Sequence, residues 1–280
     1  MESDLHCHTK LSDGSTTIDE LIFLAKNKNV NTISVTDCDT FAGSVRAQIF
    51  GKKYGIEVIP GVEITAFDYQ RNKSAHLLCY ACEYPNRLEG LFKKIRDIRK
   101  KSSVIMLQKV IRMYPISPDM VLKRAQGSTN LFKAHVMHAL VDAGYASSFY
   151  GNLYQKLFKK GSGLALVKSD YPEVRDVLKQ IHSAGGVSVL AHPGFHENYD
   201  LLEELACLGL CGVEVWHPRN KEFSEKQIID IAKKYNLIKV GGSDFRGMYM
   251  EKPNPIATCT TPKNQLNIIK GRVVKKKNAV

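Results

Sequence analysis

Seven short apolar runs recur along the chain: Ser3–His6, Thr32–Val35, Glu57–Val62, Ala75–Tyr80, Val187–Leu190, Gly212–Trp216 and Leu237–Val240. Most are continuous apolar stretches rather than strict apolar–polar alternations. That is the pattern of strands covered on both faces, as in a parallel sheet. Helical patterns lie between them. Thr17-Ile18-Asp19-Glu20 has the form of a capping box and leads into Leu21, Ile22, Leu24 and Ala25 at helical spacing. Tyr171–Ala184 stops at Gly185-Gly186, and Asn198–Leu208, Ser224–Asn236 and a segment near Lys263–Lys270 complete the set. Repeated strand–helix units point to a doubly wound sheet or an α/β barrel.

From Pro85 to about Gly163 the alternation stops. Four helical patterns, Arg87–Met113, Pro118–Ala125, Leu131–Ala143 and Ser148–Lys159, follow one another without a convincing strand. The simplest organisation is a barrel domain made of residues 1–84 and 164–280, with a helical cap subdomain, 85–163, inserted between two barrel strands. A chain of 280 residues with 44% hydrophobic and 24% charged content can bury such a core, which argues against wholesale disorder.

The opening residues, MESDLHCH, are polar, and no apolar run nears the roughly 18 residues of a membrane span. The expectation is a soluble, cytoplasmic protein with no membrane partner. Seven scattered cysteines fit a reducing compartment. Cys79, Cys82, Cys207 and Cys211 could form a structural zinc site, but buried thiols explain them more simply, because Cys79 continues an apolar run. The net charge of +12 favours anionic partners. Much of it sits in FKKIRDIRKKS (Phe92 to Ser102) and the terminal KGRVVKKKNAV, runs that read first as solvated faces.

The groups that could carry chemistry stand at or beside the strand ends. His6, His8 and Asp13 follow the first run, in DLHCHT and SDG, and Asp37 and Cys38 follow the second in TDCDT. Glu63 follows the third in GVEIT, and His76 lies on the fourth. His192 follows the fifth in LAHPG, His217 the sixth, and Asp244 and Arg246 the seventh in GGSDFRG. In α/β barrels the carboxyl ends of the strands form the functional rim, so these groups converge. Residues i and i+2 of a strand point the same way, so His6 and His8 can hold one cation together. A carboxylate such as Glu63 could bridge two ions, and a mixed imidazole–carboxylate set suits Mn, Zn or Fe better than Ca or Mg. His138, His182 and His196 read as surface or hydrogen-bonded residues, and His217 as a hydrogen-bonded strand-end residue.

This ordered set of motifs resembles the PHP family, named for polymerases and histidinol phosphatases, and most of all its small stand-alone phosphoesterases acting on nucleotides. The likeness runs from Ser3 to about Gly247. It implies a distorted (β/α)7 barrel, similar to a TIM barrel, with up to three metal ions at the carboxyl face. It also implies that His6, His8, Glu63 and Asp244 bind one ion, that Glu63, His76 and His192 bind a second, and that Asp13 binds a third. His135 and Lys133, in KAHVMHAL, match groups that face the substrate phosphate.

Two departures fall together. The family reads TDHDT where this chain has Cys38, and GSDFH where it has Arg246. Both missing histidines belong to the third ion. Arg246 is permanently cationic and could replace that ion beside Asp13, leaving two metals; Cys38 could instead act as a thiolate ligand. The resemblance implies hydrolysis of a phosphate monoester of a nucleotide, or of the 5′ end of a short oligonucleotide, with His135 and Lys133 at the substrate phosphate. Beside it, the candidate catalytic groups are His135, Arg246 and Asp37, and the candidate substrate contacts Lys133, His135 and Arg246. The alternatives are a degenerate nucleotide-binding module and a phosphatase for a substrate such as histidinol phosphate.

Overall fold

A computed structural model describes residues 2–252 and 254–277. All seven apolar runs are strands: β1 (Glu2–Cys7), β2 (Val30–Val35), β3 (Glu57–Asp68), β4 (Lys73–Tyr80), β5 (Val187–Leu190), β6 (Gly212–Trp216) and β7 (Ile238–Gly241). They form one sheet in sequence order. Strands β1, β2 and β3 pair in parallel, as do β5, β6 and β7, while β4 runs antiparallel to both its neighbours. The sheet is therefore not all parallel, as the apolar runs suggested. Only the turn from Tyr69 to Asn72 joins β3 to β4, and a parallel crossover needs a dozen residues or more. The sheet curls until its ends meet: Cys7 and Phe245 form a bridge, and His8 N–H donates to the Phe245 carbonyl at 2.8 Å. The result is a distorted barrel.

Inside, Leu5, Ile59, Leu78, Val189 and Val240, from β1, β3, β4, β5 and β7, pack in one cluster. The Tyr80 hydroxyl crosses it to donate to the Leu5 carbonyl at 2.7 Å. Helix α1 (Ile18–Asn27) starts from the Thr17–Glu20 capping box and buries Ile18, Leu21, Ile22 and Ala25. Each of its larger side chains gains about 1.5–3 kcal/mol from burial. Helix α2 (Ser44–Tyr54) carries no recognisable apolar stripe. It fully buries only the small residues Ser44, Ala47 and Gly51, with Phe50 and Tyr54 packed part-buried at the edge of the core, while Val45 and Ile49 point outward.

Helices α3 (Glu89–Met113), α4 (Pro118–Arg124), α5 (Lys133–Asp142) and α6 (Asn152–Phe158) occupy the stretch without strands. The first half of α3 packs Leu91, Phe92 and Ile95 into the barrel's outer core, and its second half packs Met106 and Val110 with Val136, Leu140 and Leu157 of α5 and α6. Helix α3 thus belongs to both cores. The outer layer continues with α7 (Val174–Ser183), α8 (Pro193–His196), α9 (Tyr199–Cys207), α10 (Glu222–Lys234) and α11 (Lys263–Lys277).

Lys93, Lys94, Lys100 and Lys101 are exposed, as solvated charges should be. The terminal basic run lies, from residue 273, outside the residues whose side chains are described. Cys79 is buried but Cys207 is exposed on the last turn of α9, so burial does not account for every cysteine. Among the described residues, the clusters of metal-ligating groups include none of Cys79, Cys82, Cys207 and Cys211.

Candidate metal centre

The end of β1 places His6 and His8 in the barrel mouth, both fully buried. His6 Nδ1–H is positioned to donate to Glu214 Oε1 at 2.8 Å, which turns His6 Nε2 toward His8 Nε2 at 3.1 Å. A carboxylate behind a histidine in this way fixes its tautomer and raises its basicity as a ligand. Asp244 Oδ1 lies 3.6 Å from His6 Nε2 and 3.4 Å from His8 Nε2. Two nitrogens and a carboxylate converging so closely form a group that can hold a metal ion.

Glu63, on β3, faces both halves of the centre. Its Oε2 is 3.4 Å from His8 Nε2, and its Oε1 is 2.8 Å from His76 Nδ1 and 3.1 Å from His192 Nε2. His76 reaches this rim because β4 is reversed: it pairs with Thr65 near the carboxyl end of β3. In a parallel β4, the early position of His76 would lie toward the opposite end of the barrel.

Local backbone geometry does the rest. His192 and Asp244 both have positive φ, 31° and 50°, a conformation costly for non-glycine residues and concentrated at functional sites. At Gly242 a Cβ would fall 2.5 Å from the His6 backbone nitrogen, so only glycine lets this loop pass so close to β1. Asp4, buried beneath it, accepts from the N–H of Ser243 at 2.9 Å and of Ala257 at 2.8 Å, anchoring the loop that presents Asp244.

The two departures meet as well. Arg246 ion-pairs with Asp13, donates from Nε to Asp244 Oδ1 at 2.9 Å, and brings Nη2 to 3.1 Å from His8 Nε2 and 3.5 Å from Glu63 Oε2. Cys38 Sγ is 3.5 Å from Glu63 Oε2 and 3.7 Å from Asp13 Oδ1. Burial, with Asp13 and Glu63 adding to it, pushes the Cys38 thiol well above its ordinary value, so it stays protonated. Burial opposes ionisation of Asp244, yet Arg246, His217 and His8 together hold its carboxyl well below the usual range. Glu63 is likewise held down, against burial, by His76, His192 and His6. Burial opposes a charge on His6, yet Glu214, Glu63 and Asp244 raise its pKa well above the ordinary value, so this pocket favours positive charge. Anionic carboxylates among imidazole nitrogens form a donor set that fits divalent cations.

Other expected residues fall as follows. Asp37 is turned toward the loop after β1, accepting from Thr9 N–H at 2.8 Å, Thr9 Oγ1 at 2.6 Å and Ser12 Oγ at 2.6 Å. His135 sits on the first turn of α5, where its Nδ1 accepts from Phe132 N–H at 3.2 Å, leaving Nε2–H as a donor. Burial lowers its pKa to about 4, so it is neutral near pH 7. Lys133 precedes it on α5, its pKa lowered by burial. His217 accepts from Arg219 N–H through Nδ1 at 3.1 Å, while its buried Nε2, 3.4 Å from Asp244 Oδ2, has no hydrogen-bond partner among the described residues, so the ring is only half satisfied as a hydrogen-bonded strand-end residue.

Three residues were not legible as parts of the site. Glu214 looked like one polar position in the strand VEVW. Arg219, 3.7 Å from Asp244 Oδ2 and stacked over Phe195 at 4.6 Å, followed an unremarkable HP pair. His196 read as a surface loop residue, yet its ring lies beside His76 and His192.

Known proteins share this architecture. The PHP domain family model matches residues 4–186. Phosphoribosyl 1,2-cyclic phosphate 1,2-diphosphodiesterase from Eggerthella lenta is 34% identical over 256 residues, covering 91% of this chain and 97% of that protein. A 5′-3′ exoribonuclease from Haemophilus influenzae is 29% identical over 248 residues, with 86% and 89% covered. A crystal structure from Bifidobacterium adolescentis, of a protein assigned as a metal-dependent phosphoesterase, superposes with a TM-score of 0.89 at 28% identity, covering 96% of each chain. With a family match over more than half its length and a relative aligned nearly end to end, the chain belongs to the PHP domain family and is a metal-dependent phosphoesterase.

Proposed function

We propose that the protein hydrolyses a phosphate ester of a small phosphorylated ribose or nucleotide, using two divalent ions (Mn, Zn or Fe) and Arg246 in place of a third. One observation carries the reading: a single carboxylate, Glu63, contacts both imidazole groups, His8 on one side and His76 with His192 on the other. His6, His8, Glu63 and Asp244 would hold one ion, and Glu63, His76 and His192 the other. Bound there, divalent ions supply Lewis acidity toward phosphoryl oxygens and acidify a water toward neutral pH.

The chain's own groups supply the rest. Arg246 offers fixed guanidinium donors where negative charge develops on the phosphoryl group. The direct ion pair of Arg246 with Asp13 supports Arg246, rather than a third ion, as the charge at that position. His135, neutral with Nε2–H as donor, would hydrogen-bond a phosphoryl or leaving-group oxygen without first losing a proton. Lys133 adds positive charge from the same helix, and Arg219 extends it beyond Asp244. Asp37 acts at one remove, by fixing the loop after His8.

A small substrate is favoured by the closure of the helical stretch over the rim. Thr129 N–H donates to the Leu11 carbonyl at 2.9 Å, Ser128 Oγ to the Ser12 carbonyl at 2.7 Å, and Arg99 to Asp39 Oδ2 at 2.6 Å. We read residues 85–163 as a cap subdomain held by these bonds. The Eggerthella lenta relative, named for a cyclic phosphate of ribose, supports the same choice. The Haemophilus influenzae relative and the net charge of +12 favour a second reading, the 5′ end of a short RNA.

Chromatographic analysis of products, together with phosphate release, decides between them, because opening a cyclic ester or removing a 5′ nucleotide frees no inorganic phosphate. The panel is a phosphoribosyl 1,2-cyclic phosphate, a nucleoside 3′,5′-bisphosphate, a 5′-phosphorylated oligoribonucleotide and histidinol phosphate, each with Mn²⁺ and against Asp244→Ala. The proposal expects turnover of a small ester with shallow salt dependence. Turnover of the oligonucleotide alone, with steep salt dependence, would favour the second reading. Equal activity in Asp244→Ala would refute both.

A further inference from the structure

Helix α8 is a single turn, Pro193–His196, bracketed by two left-handed residues, His192 at φ 31° and Glu197 at φ 53°. This tight reversal turns the His196 ring back toward the centre. Its centroid lies 5.2 Å from that of His192 and 5.6 Å from that of His76. One ligand atom from each of His76, His192 and His196 lies within 4.8 Å of the other two. His196 Nε2 is buried and, among the described residues, has no hydrogen-bond partner. An unsatisfied buried polar atom is destabilising, and a ligand in the right place removes that cost. From outside, Phe195 packs edge-on against His196 at 4.7 Å, and the Arg219 guanidinium covers Phe195, so the ring is held in place.

We infer that His196 is a third imidazole ligand for the ion held by His76, His192 and Glu63. The inference rests on the two-ion reading above and makes the two positions chemically different. The ion near His6 and His8 sees two nitrogens with the carboxylates of Glu63 and Asp244. The ion near His76 sees three nitrogens and a single carboxylate. A nitrogen-rich set of this kind selects zinc or iron over manganese, so the centre is asymmetric in its metal preference.

Metal retention tests this without reference to activity. Zinc-loaded wild type, His196→Ala, His196→Gln and His76→Ala are dialysed against graded chelator, and metal content is measured by elemental analysis. Wild type should hold both ions. His196→Ala and His196→Gln should hold one as wild type does and release the other at least about 10–100-fold more readily, the loss already expected for an outer-shell partner. In ¹⁵N-histidine-labelled wild type loaded with ¹¹³Cd²⁺, the imidazoles of His6, His8, His76, His192 and His196 should all show cadmium–nitrogen coupling. That measurement decides the matter even if a variant fails to fold. Retention unchanged in both His196 variants while His76→Ala loses its ion, or no coupling at His196, overturns this inference and leaves the two-ion reading standing. A wild type that binds no ion overturns the two-ion reading itself.

Discussion

Replacing Arg246 with methionine tests whether a fixed charge stands where a cation would otherwise be required. The Arg246 side chain is only 12% exposed and faces three carboxylates: Asp13 in direct ion pair, Asp244 Oδ1 at 2.8 Å and Glu63 Oε2 at 3.5 Å. Methionine keeps much of the bulk and removes the charge, leaving buried anions without their permanent partner. Breaking a buried ion pair from one side costs about 3–5 kcal/mol. At about 2–4 °C per kcal/mol, metal-free Arg246→Met should melt roughly 6–20 °C below wild type. The exposed Arg46–Asp19 pair is the control, since its loss should cost about 0–1 kcal/mol.

Added metal should then rescue the variant more than it helps wild type. An ion present at 100 times its dissociation constant contributes about 2.7 kcal/mol, and in the variant an additional ion can enter beside Asp13. The assay is thermal unfolding of chelator-treated protein, followed by titration with Mn²⁺ or Zn²⁺. Metal-free Arg246→Met melting within about 2–4 °C of wild type, a difference worth about 1 kcal/mol, would refute the reasoning. So would equal metal-induced stabilisation of the two proteins.

Restoring both histidines, in Cys38→His with Arg246→His, should raise the metal content by one ion per chain in elemental analysis, whereas Cys38→His alone, with Arg246 still in place, should not. His135→Ala should lower turnover by about 10²–10⁴-fold while metal content stays at the wild-type value, because His135 acts on substrate oxygens rather than on ions. His135 also makes stability depend on pH. Its folded pKa is about 4 and its unfolded value is ordinary, near 6.5. Between these the unfolded chain binds a proton that the folded chain does not, so stability rises with pH across that window, by on the order of 3 kcal/mol. Urea unfolding of metal-free His135→Phe between pH 4 and 7 should show a flatter slope than wild type.

The strands were legible because segments buried on both faces leave unbroken apolar runs, and all seven lie where such runs occur. Their directions were not. An apolar run is the same read either way, and only the short connection from Tyr69 to Asn72 reveals that β4 turns back. Helix α2 escaped notice because the residues it buries fully, Ser44, Ala47 and Gly51, are small, while Val45 and Ile49 are exposed and blur the apolar stripe. Within the site, the motifs placed His6, His8, Glu63, His76, His192 and Asp244 at one rim, and the joint loss of two histidines pointed to Arg246 beside Asp13. Glu214 and His196 stayed hidden for different reasons. A lone glutamate in a strand ordinarily means a solvent-facing position, and here it lies behind His6. His196 depends on a left-handed turn at His192, which no local residue preference announces.

The central claim is that two ions sit on either side of Glu63. Anomalous diffraction from metal-loaded crystals tests it most directly. The account predicts one peak against His6, His8 and Asp244, a second against His76 and His192, and none between Asp13 and Cys38. A single peak, or ions bound away from Glu63, would contradict it.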